Sequence, residues 1–252
     1  MSTVKAIAIF SFLSIFSMGI VGQKVISSQE IIWYTYSQTL QLNDKWYLQA
    51  ECSERHFINP TSQFQALGRI HAHRILGAGW ETSAGIATSF QNPNDPNKPS
   101  ATQKLTVAEL RPHIELAYNQ KIDKMSIDHR YRAEARYFGN SNATQTELED
   151  GVFFSNFRCR YKIQASVPVW KLGEKQNIKL KIGDEIMINV GDKIISNFAD
   201  QNRFFAGVNI DLLPNMTFEM IYINSFQQQR NEFYFNRNIL HCTLSHKINL
   251  SK

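Results

Sequence analysis

The sequence predicts an all-β protein: an antiparallel up-and-down transmembrane β-barrel of about 12 strands, with 10 as the second choice. Three observations favour this fold. Polar and apolar residues alternate over long segments, short turns alternate with longer polar loops, and residues 1–22 are typical of an export signal. The 252 residues are 43% hydrophobic and 19% charged, with a net charge of +5. Such a composition excludes a disordered or collagen-like chain.

The first 22 residues are typical of a secretory signal peptide. Lys5 precedes an apolar run at 6–16, and small residues follow before Gln23. The run is shorter than the roughly 20 apolar residues that a membrane-spanning helix needs. We therefore expect a cleaved signal peptide at 1–22 rather than a membrane anchor, followed by a single barrel domain at 23–252.

The cysteines exclude two common classes of small domain. There are three of them, far apart and without C-x-x-C spacing: Cys52, Cys159 and Cys242. An odd number at these positions indicates neither a disulfide framework nor a zinc ribbon.

A period of two dominates the mature chain from about residue 30. In 126–138, five charged residues alternate with apolar or aromatic ones without exception. A strand gathers such alternate residues on one face, whereas a helix would scatter them around its circumference. The same rule predicts strands near 30–42, 45–57, 63–76, 79–90, 105–119, 125–138, 151–167, 177–190, 200–213, 215–228 and 236–250.

These segments are eleven in number, whereas bacterial barrels with both termini on the periplasmic side have an even number of strands. We therefore expect 23–29 to add a short first strand, giving 12, or one segment to be misassigned, giving 10. The alternation of short turns with longer loops, such as 91–104 and 139–150, is typical of outer-membrane barrels.

Alternation alone does not decide whether the apolar faces meet lipid or a soluble core. Strands of 13 or more residues favour lipid, because about 9–11 tilted residues cross a bilayer. Charges of both signs at mid-strand favour an enclosed interior, where each charge needs a partner. Aromatic residues near strand ends are typical of interfacial girdles: Trp33, Trp46, Tyr47, Trp80, Tyr118, Tyr137 and Trp170. Asp184 disagrees, because strict alternation places it on the apolar face.

Several segments carry a family resemblance. They are Trp33 with the strand 34–42, KWYLQAE at 45–51, Leu67-Gly68-Arg69, Glu109-Leu110-Arg111, RYRAEAR at 130–136, 158–161 and Asn202-Arg203. Together they resemble an uncharacterised bacterial family known only as a domain of unknown function and described as outer-membrane β-barrel proteins. The similarity covers about 30–250. It implies a barrel and an outer-membrane location, and it implies no activity.

We expect the charged residues to form a salt-bridged network in the lumen. The set is Glu109, Arg111, Glu115, Arg130, Arg132, Glu134, Arg136, Arg158, Arg160 and Arg203. Long Arg and Glu side chains can bridge a barrel of 10–12 strands, which is far narrower than a 16-stranded porin. The expected function is therefore that of a structural barrel, or of a closed or narrow passage, without enzymatic activity.

Two other classes remain open. One is an integral outer-membrane hydrolase with a Ser/His/carboxylate site at a barrel rim, and the other is a soluble secreted β-sandwich that binds a small ligand. His71 and His73, together with His113, could bind a metal if the fold brings them together, although ordinary hydrogen bonds are the preferred interpretation. We expect no catalytic, cofactor or metal site, no nucleic-acid partner, and outer-membrane lipid as the surroundings. Protein partners remain open.

Overall fold

The structure, a computed structural model, describes residues 25–92, 105–142, 147–171, 173, 176–191, 194, 198–228 and 233–250. They contain eleven strands: β1 (Val25–Gln41), β2 (Trp46–Phe57), β3 (Ser62–Gly77), β4 (Trp80–Gln91), β5 (Val107–Ile122), β6 (Met125–Ser141), β7 (Leu148–Lys171), β8 (Asn177–Val190), β9 (Ala199–Leu213), β10 (Met216–Gln228) and β11 (Phe233–Asn249). The expected signal peptide, 1–22, lies outside the described residues. The described residues include no helical segment that qualifies as a membrane span.

The strands close into one barrel, in which each strand pairs with its neighbours in sequence and β1 pairs with β11. All pairs are antiparallel except the last, which runs parallel from Val25 opposite Phe233 to Gln41 opposite Asn249. The all-β up-and-down barrel is therefore confirmed. The described residues hold eleven strands instead of twelve, because residues 25–29 extend β1 and a parallel seam lets an odd number close.

The two rims of the barrel differ in their connections. Two to five residues join the strands at one rim, which we call the turn rim, and four to fifteen join them at the other, the loop rim. In the turn between β3 and β4, Gly77, Ala78 and Gly79 all have positive φ angles of 95°, 50° and 84°. Glycine adopts such angles without a steric penalty, so this sequence suits a tight reversal.

In the central parts of β5–β7, apolar side chains face outward and charged ones face inward. Ile114, Tyr131 and Phe157 are 64%, 48% and 52% exposed on the outer surface, whereas Glu134 and Arg132 are 2% and 5% exposed. Successive side chains of a strand point to opposite faces, so the alternating polarity of these segments gives the two faces different chemistry. The outer surface of the barrel is consequently apolar.

The aromatic residues near strand ends divide between the two faces. Trp46, Trp80 and Trp170 are exposed at the turn rim, as a girdle requires. Trp33 and Tyr47 were expected in the girdle, and this expectation is wrong. Trp33 is 5% exposed inside the barrel, because its position in β1 has the parity of the interior residues. Tyr47 also points inward, where its hydroxyl donates to Glu81 Oε1 at 2.6 Å.

Asp184 lies on the outer face, as the alternation predicted, and it has a partner there. Asn202 of β9 donates through Nδ2 to Asp184 Oδ1 at 2.8 Å. The pairing of β8 continues without a shift past Gly183. A Cβ atom on Gly183 would lie 2.5 Å from the Phe205 ring, so the missing side chain makes room for that ring inside the barrel.

Candidate functional site

The interior of β5–β8 carries a continuous set of charged side chains, which we call the polar wall. The structure places the ten predicted lumen residues on the interior face of the barrel, nine on β5–β7 and Arg203 on β9. Alternate positions of a strand share one face, so the spacing in the sequence sets this arrangement. Each of the ten takes part in an ion pair with a carboxylate or a guanidinium.

Glu134 of β6 lies at the centre of the polar wall. Arg158 of β7 donates to Glu134 Oε2 through Nε at 2.9 Å and through Nη2 at 2.5 Å. Arg160 Nη1 reaches Glu134 Oε1 at 2.9 Å, and Arg132 Nη1 reaches the same oxygen at 3.3 Å. Three guanidinium groups therefore share one carboxylate that is almost fully removed from solvent.

Glu185 of β8 has a similar role and is absent from the predicted set. It contacts Arg160 at 2.8 Å, Arg130 at 2.5 Å and Arg203 at 3.5 Å. Asp200 is a second missed partner, 3.3 Å from Arg158. The parity of β8 would have found Glu185, which sits on the same face as Lys181. The alternation rule could not have found Asp200, because the pairing of β8 with β9 shifts register between Met187 and Ile188.

Two further carboxylates extend the polar wall along β5. Glu115 contacts Arg132 at 2.6 Å and Arg130 at 3.7 Å. Glu109, near the loop rim, contacts Arg136 at 2.6 Å and Arg111 at 3.7 Å. Each of these two carboxylates therefore has an arginine within 4 Å, which offsets the cost of burying its charge.

The opposite side of the interior contains a hydrophobic cluster, which we call the apolar wall. Its buried residues come from β1, β2, β9, β10 and β11: Ile31, Trp33, Phe57, Phe205, Ile221, Ile223 and Ile239. Ile31 and Ile239 are 0% and 1% exposed. These side chains pack as a core inside the barrel, a feature that the sequence analysis did not predict.

Trp33 joins the two walls. The guanidinium carbon of Arg55 lies 4.0 Å from its ring centroid, and that of Arg203 lies 5.3 Å away. Arg203 also pairs with Glu185, and Arg55 donates to Gln65 Oε1 of β3 at 2.6 Å. Trp33 and Arg203 come from strands that are not neighbours, so this contact crosses the interior.

The histidines separate into two groups. His71 Nδ1 lies 3.3 Å from His113 Nε2 and 3.5 Å from Glu115 Oε1. His73 instead contacts Glu81 at 2.7 Å and stacks on Tyr47. The structure therefore brings His71 and His113 together, while His73 binds a different carboxylate.

A polar cavity of about 200 Å³ adjoins His71 and His73. Its lining includes Glu51, Arg69, His71, Glu115 and Arg132. Since a water molecule occupies about 30 Å³ in the liquid, the cavity has room for several waters but not for a wide channel.

The comparisons with known proteins identify a family and similar solved structures. No curated protein matches the sequence. Among solved structures, the chain is similar to one titled "NanC porin structure in rhombohedral crystal form", with 9% sequence identity, a TM-score of 0.45, and coverage of 80% of this chain and 88% of that chain. Residues 30–236 match a family described as "Protein of unknown function (DUF2490)". The chain belongs to this family.

Proposed function

We propose that this protein is an integral β-barrel of the bacterial outer membrane, exported through a cleaved signal peptide, with a closed or very narrow interior. Its role is then structural, or that of a restricted passage. The observation that carries the proposal is the contact between the two walls through Trp33, Arg55 and Arg203.

Membrane insertion is supported by the outer surface. Many large apolar side chains are exposed there, including Ile70, Ile114 and Trp170 at 60%, 64% and 68%. A surface patch of this extent is unfavourable in water and suits acyl chains. The strands contain 12 to 24 residues, enough to cross a hydrocarbon core when tilted.

Closure is supported by interior contacts between strands that are not neighbours. Glu185 reaches Arg130 over the intervening strand β7, and Arg158 reaches Asp200 over β8. On the other side, seven buried apolar side chains pack against one another inside the barrel, where a porin has a water-filled channel. A wide channel would need both sets to withdraw.

The membrane assignment is tested by fractionation. We expect the full chain to remain in the outer-membrane fraction after salt and carbonate washes, and to need detergent for extraction. On a gel, the unheated protein should migrate differently from the heated one, as closed barrels do. Release into the periplasmic extract without detergent would instead support the soluble β-sandwich.

Closure is tested by conductance in planar bilayers. We expect the wild type to show no steady open state, and Trp33→Ala to conduct measurably because the bridge between the walls is lost. Trp46→Ala is the matched control, since that indole lies on the outer surface. A wild type that conducts steadily as an open pore, unchanged by Trp33→Ala, would contradict the closed interior.

A further inference from the structure

Three strands bring two imidazoles together over a glycine. His71 of β3 lies opposite Gly85 of β4, and Gly85 lies opposite His113 of β5. A Cβ atom on Gly85 would lie 3.1 Å from His113 Nε2 and 3.1 Å from His71 Cα. The absence of a side chain on the middle strand therefore lets the flanking rings approach each other. Glu115, two residues beyond His113, shares the interior face.

The three side chains present their donor atoms at the separations of a metal site. His71 Nδ1, His113 Nε2 and Glu115 Oε1 form a triangle with sides of 3.3, 3.5 and 3.8 Å. The centre of the circle through these atoms lies about 2.05 Å from each, which matches Zn–N bonds of about 2.0–2.1 Å and Zn–O bonds of about 2.0–2.2 Å. A single cation could therefore contact all three without moving them.

The hydrogen bonds of His113 leave the correct nitrogen available. Its Nδ1 lies 3.1 Å from the carbonyl oxygen of Arg111, which can only accept a hydrogen bond. Nδ1 is therefore the protonated nitrogen of the neutral ring, and Nε2 directs its lone pair at the triangle. A carbonyl partner behind a ligating histidine is a common way to fix the ring of a metal site. His71 and His113 are 3% and 5% exposed.

We propose that His71, His113 and Glu115 bind one divalent transition-metal cation, with Zn²⁺ as the best fit. Two imidazoles and one carboxylate form an established zinc ligand set, and the adjoining cavity has room for a water as fourth ligand. This site goes beyond the proposed function, since a closed barrel does not require it.

The neighbouring arginines set the strength of the site. Arg132 Nη2 lies 2.6 Å from Glu115 Oε1, and Arg130 Nε lies 3.7 Å from Oε2. A carboxylate oxygen has two lone pairs, so Oε1 can accept from Arg132 and still bind a cation. The positive charge of the guanidinium groups repels the cation, so we expect moderate affinity, with a dissociation constant in the micromolar range.

The experiment uses the full chain, folded in detergent, without a histidine tag. After treatment with a chelator, the protein is titrated with Co²⁺, whose visible absorption is stronger when the ion has four or five ligands than when it has six. A parallel titration uses Zn²⁺, and mass spectrometry measures the amount of zinc bound per chain. We expect one metal per chain in the wild type. His71→Gln and His113→Gln should each bind at least about 100-fold more weakly.

His73→Gln is the matched control. His73 lies two residues from His71 on the same interior face and contacts Glu81 instead of the triangle. It should bind metal as the wild type does, and heat-modifiable migration checks that each variant is folded. No binding by the wild type at about 1 mM Co²⁺, or binding that survives both His71→Gln and His113→Gln, would overturn the site.

A measurement on the wild type alone tests the site even if a variant does not fold. X-ray absorption of the zinc-loaded protein should show nitrogen and oxygen neighbours at about 2.0–2.1 Å with the outer-shell pattern of two imidazoles. A pattern with one imidazole or none would contradict the proposal. Neither outcome bears on conductance, so failure of the site is distinguishable from failure of the closed barrel.

Discussion

The two walls of the interior are held together by opposite chemistry. In the polar wall, Glu134 and Glu185 each contact three arginines at defined distances. In the apolar wall, residues such as Ile31 and Ile239 are fully buried by packing alone. When one partner of a buried ion pair is removed, the other is left as a buried charge with less compensation. In apolar packing, by contrast, the loss of stability follows the number of atoms removed. The polar wall should therefore be the more sensitive to a single small change.

The largest effect is expected from Glu134→Gln. This variant keeps the volume of the side chain but leaves Arg132, Arg158 and Arg160 without the charge that they share. Loss of one partner in a buried ion pair costs about 3–5 kcal/mol. We expect a decrease of that size in the free energy of unfolding, measured by urea titration in lipid vesicles.

Glu54→Gln is the control for that variant. Its side chain is 39% exposed and contacts His56 and Gln63. Exposed pairs contribute about 0–1 kcal/mol, so the free energy of unfolding should change little. Equal losses from Glu54→Gln and Glu134→Gln would show that burial of the network does not set its contribution.

The sequence predicted the barrel because alternation is a local property of each strand. In 126–138 the charged residues occupy every second position, so both the strand and its interior face can be read directly. The same parity placed Glu134 of β6 and Arg158 of β7 on the interior face, and the structure brings these two side chains into contact. Which arginine meets which carboxylate depends on register and barrel closure, and neither is local.

The apolar wall could not be predicted in the same way. Residues 31–34, Ile-Ile-Trp-Tyr, are hydrophobic on both faces of β1, so polarity does not tell which side faces inward. Trp33 was assigned to the girdle because it lies near the end of a predicted strand. Only the pairing of β1 with β2 and β11, which closes the barrel, places Ile31 and Trp33 inside.

A smaller effect is expected when the apolar wall is changed. Ile239→Ala removes a side chain that is 1% exposed and packed within the hydrophobic cluster. Such a change costs about 2–5 kcal/mol, and we expect the free energy of unfolding to decrease by about 3 kcal/mol. Ile114→Ala is the control, because its side chain is 64% exposed on the outer face, where lipid can fill the space. A loss as large for Ile114→Ala would indicate that the interior packing is loose.

The smallest effect is expected at the junction of the walls, where Arg55 lies over Trp33. A double-mutant cycle with Arg55→Ala and Trp33→Ala should give a coupling energy of about 1–2 kcal/mol, because the pair is removed from water. Arg74 and Trp46 form the matched pair on the outer surface, with 5.5 Å between the guanidinium carbon and the ring centroid, compared with 4.0 Å inside. The outer pair should couple by about 0.5 kcal/mol or less. If Trp33 joins the two walls, the coupling energy of Arg55 and Trp33 must exceed that of Arg74 and Trp46. Equal coupling energies would show that the contact between Arg55 and Trp33 contributes no more than a surface contact.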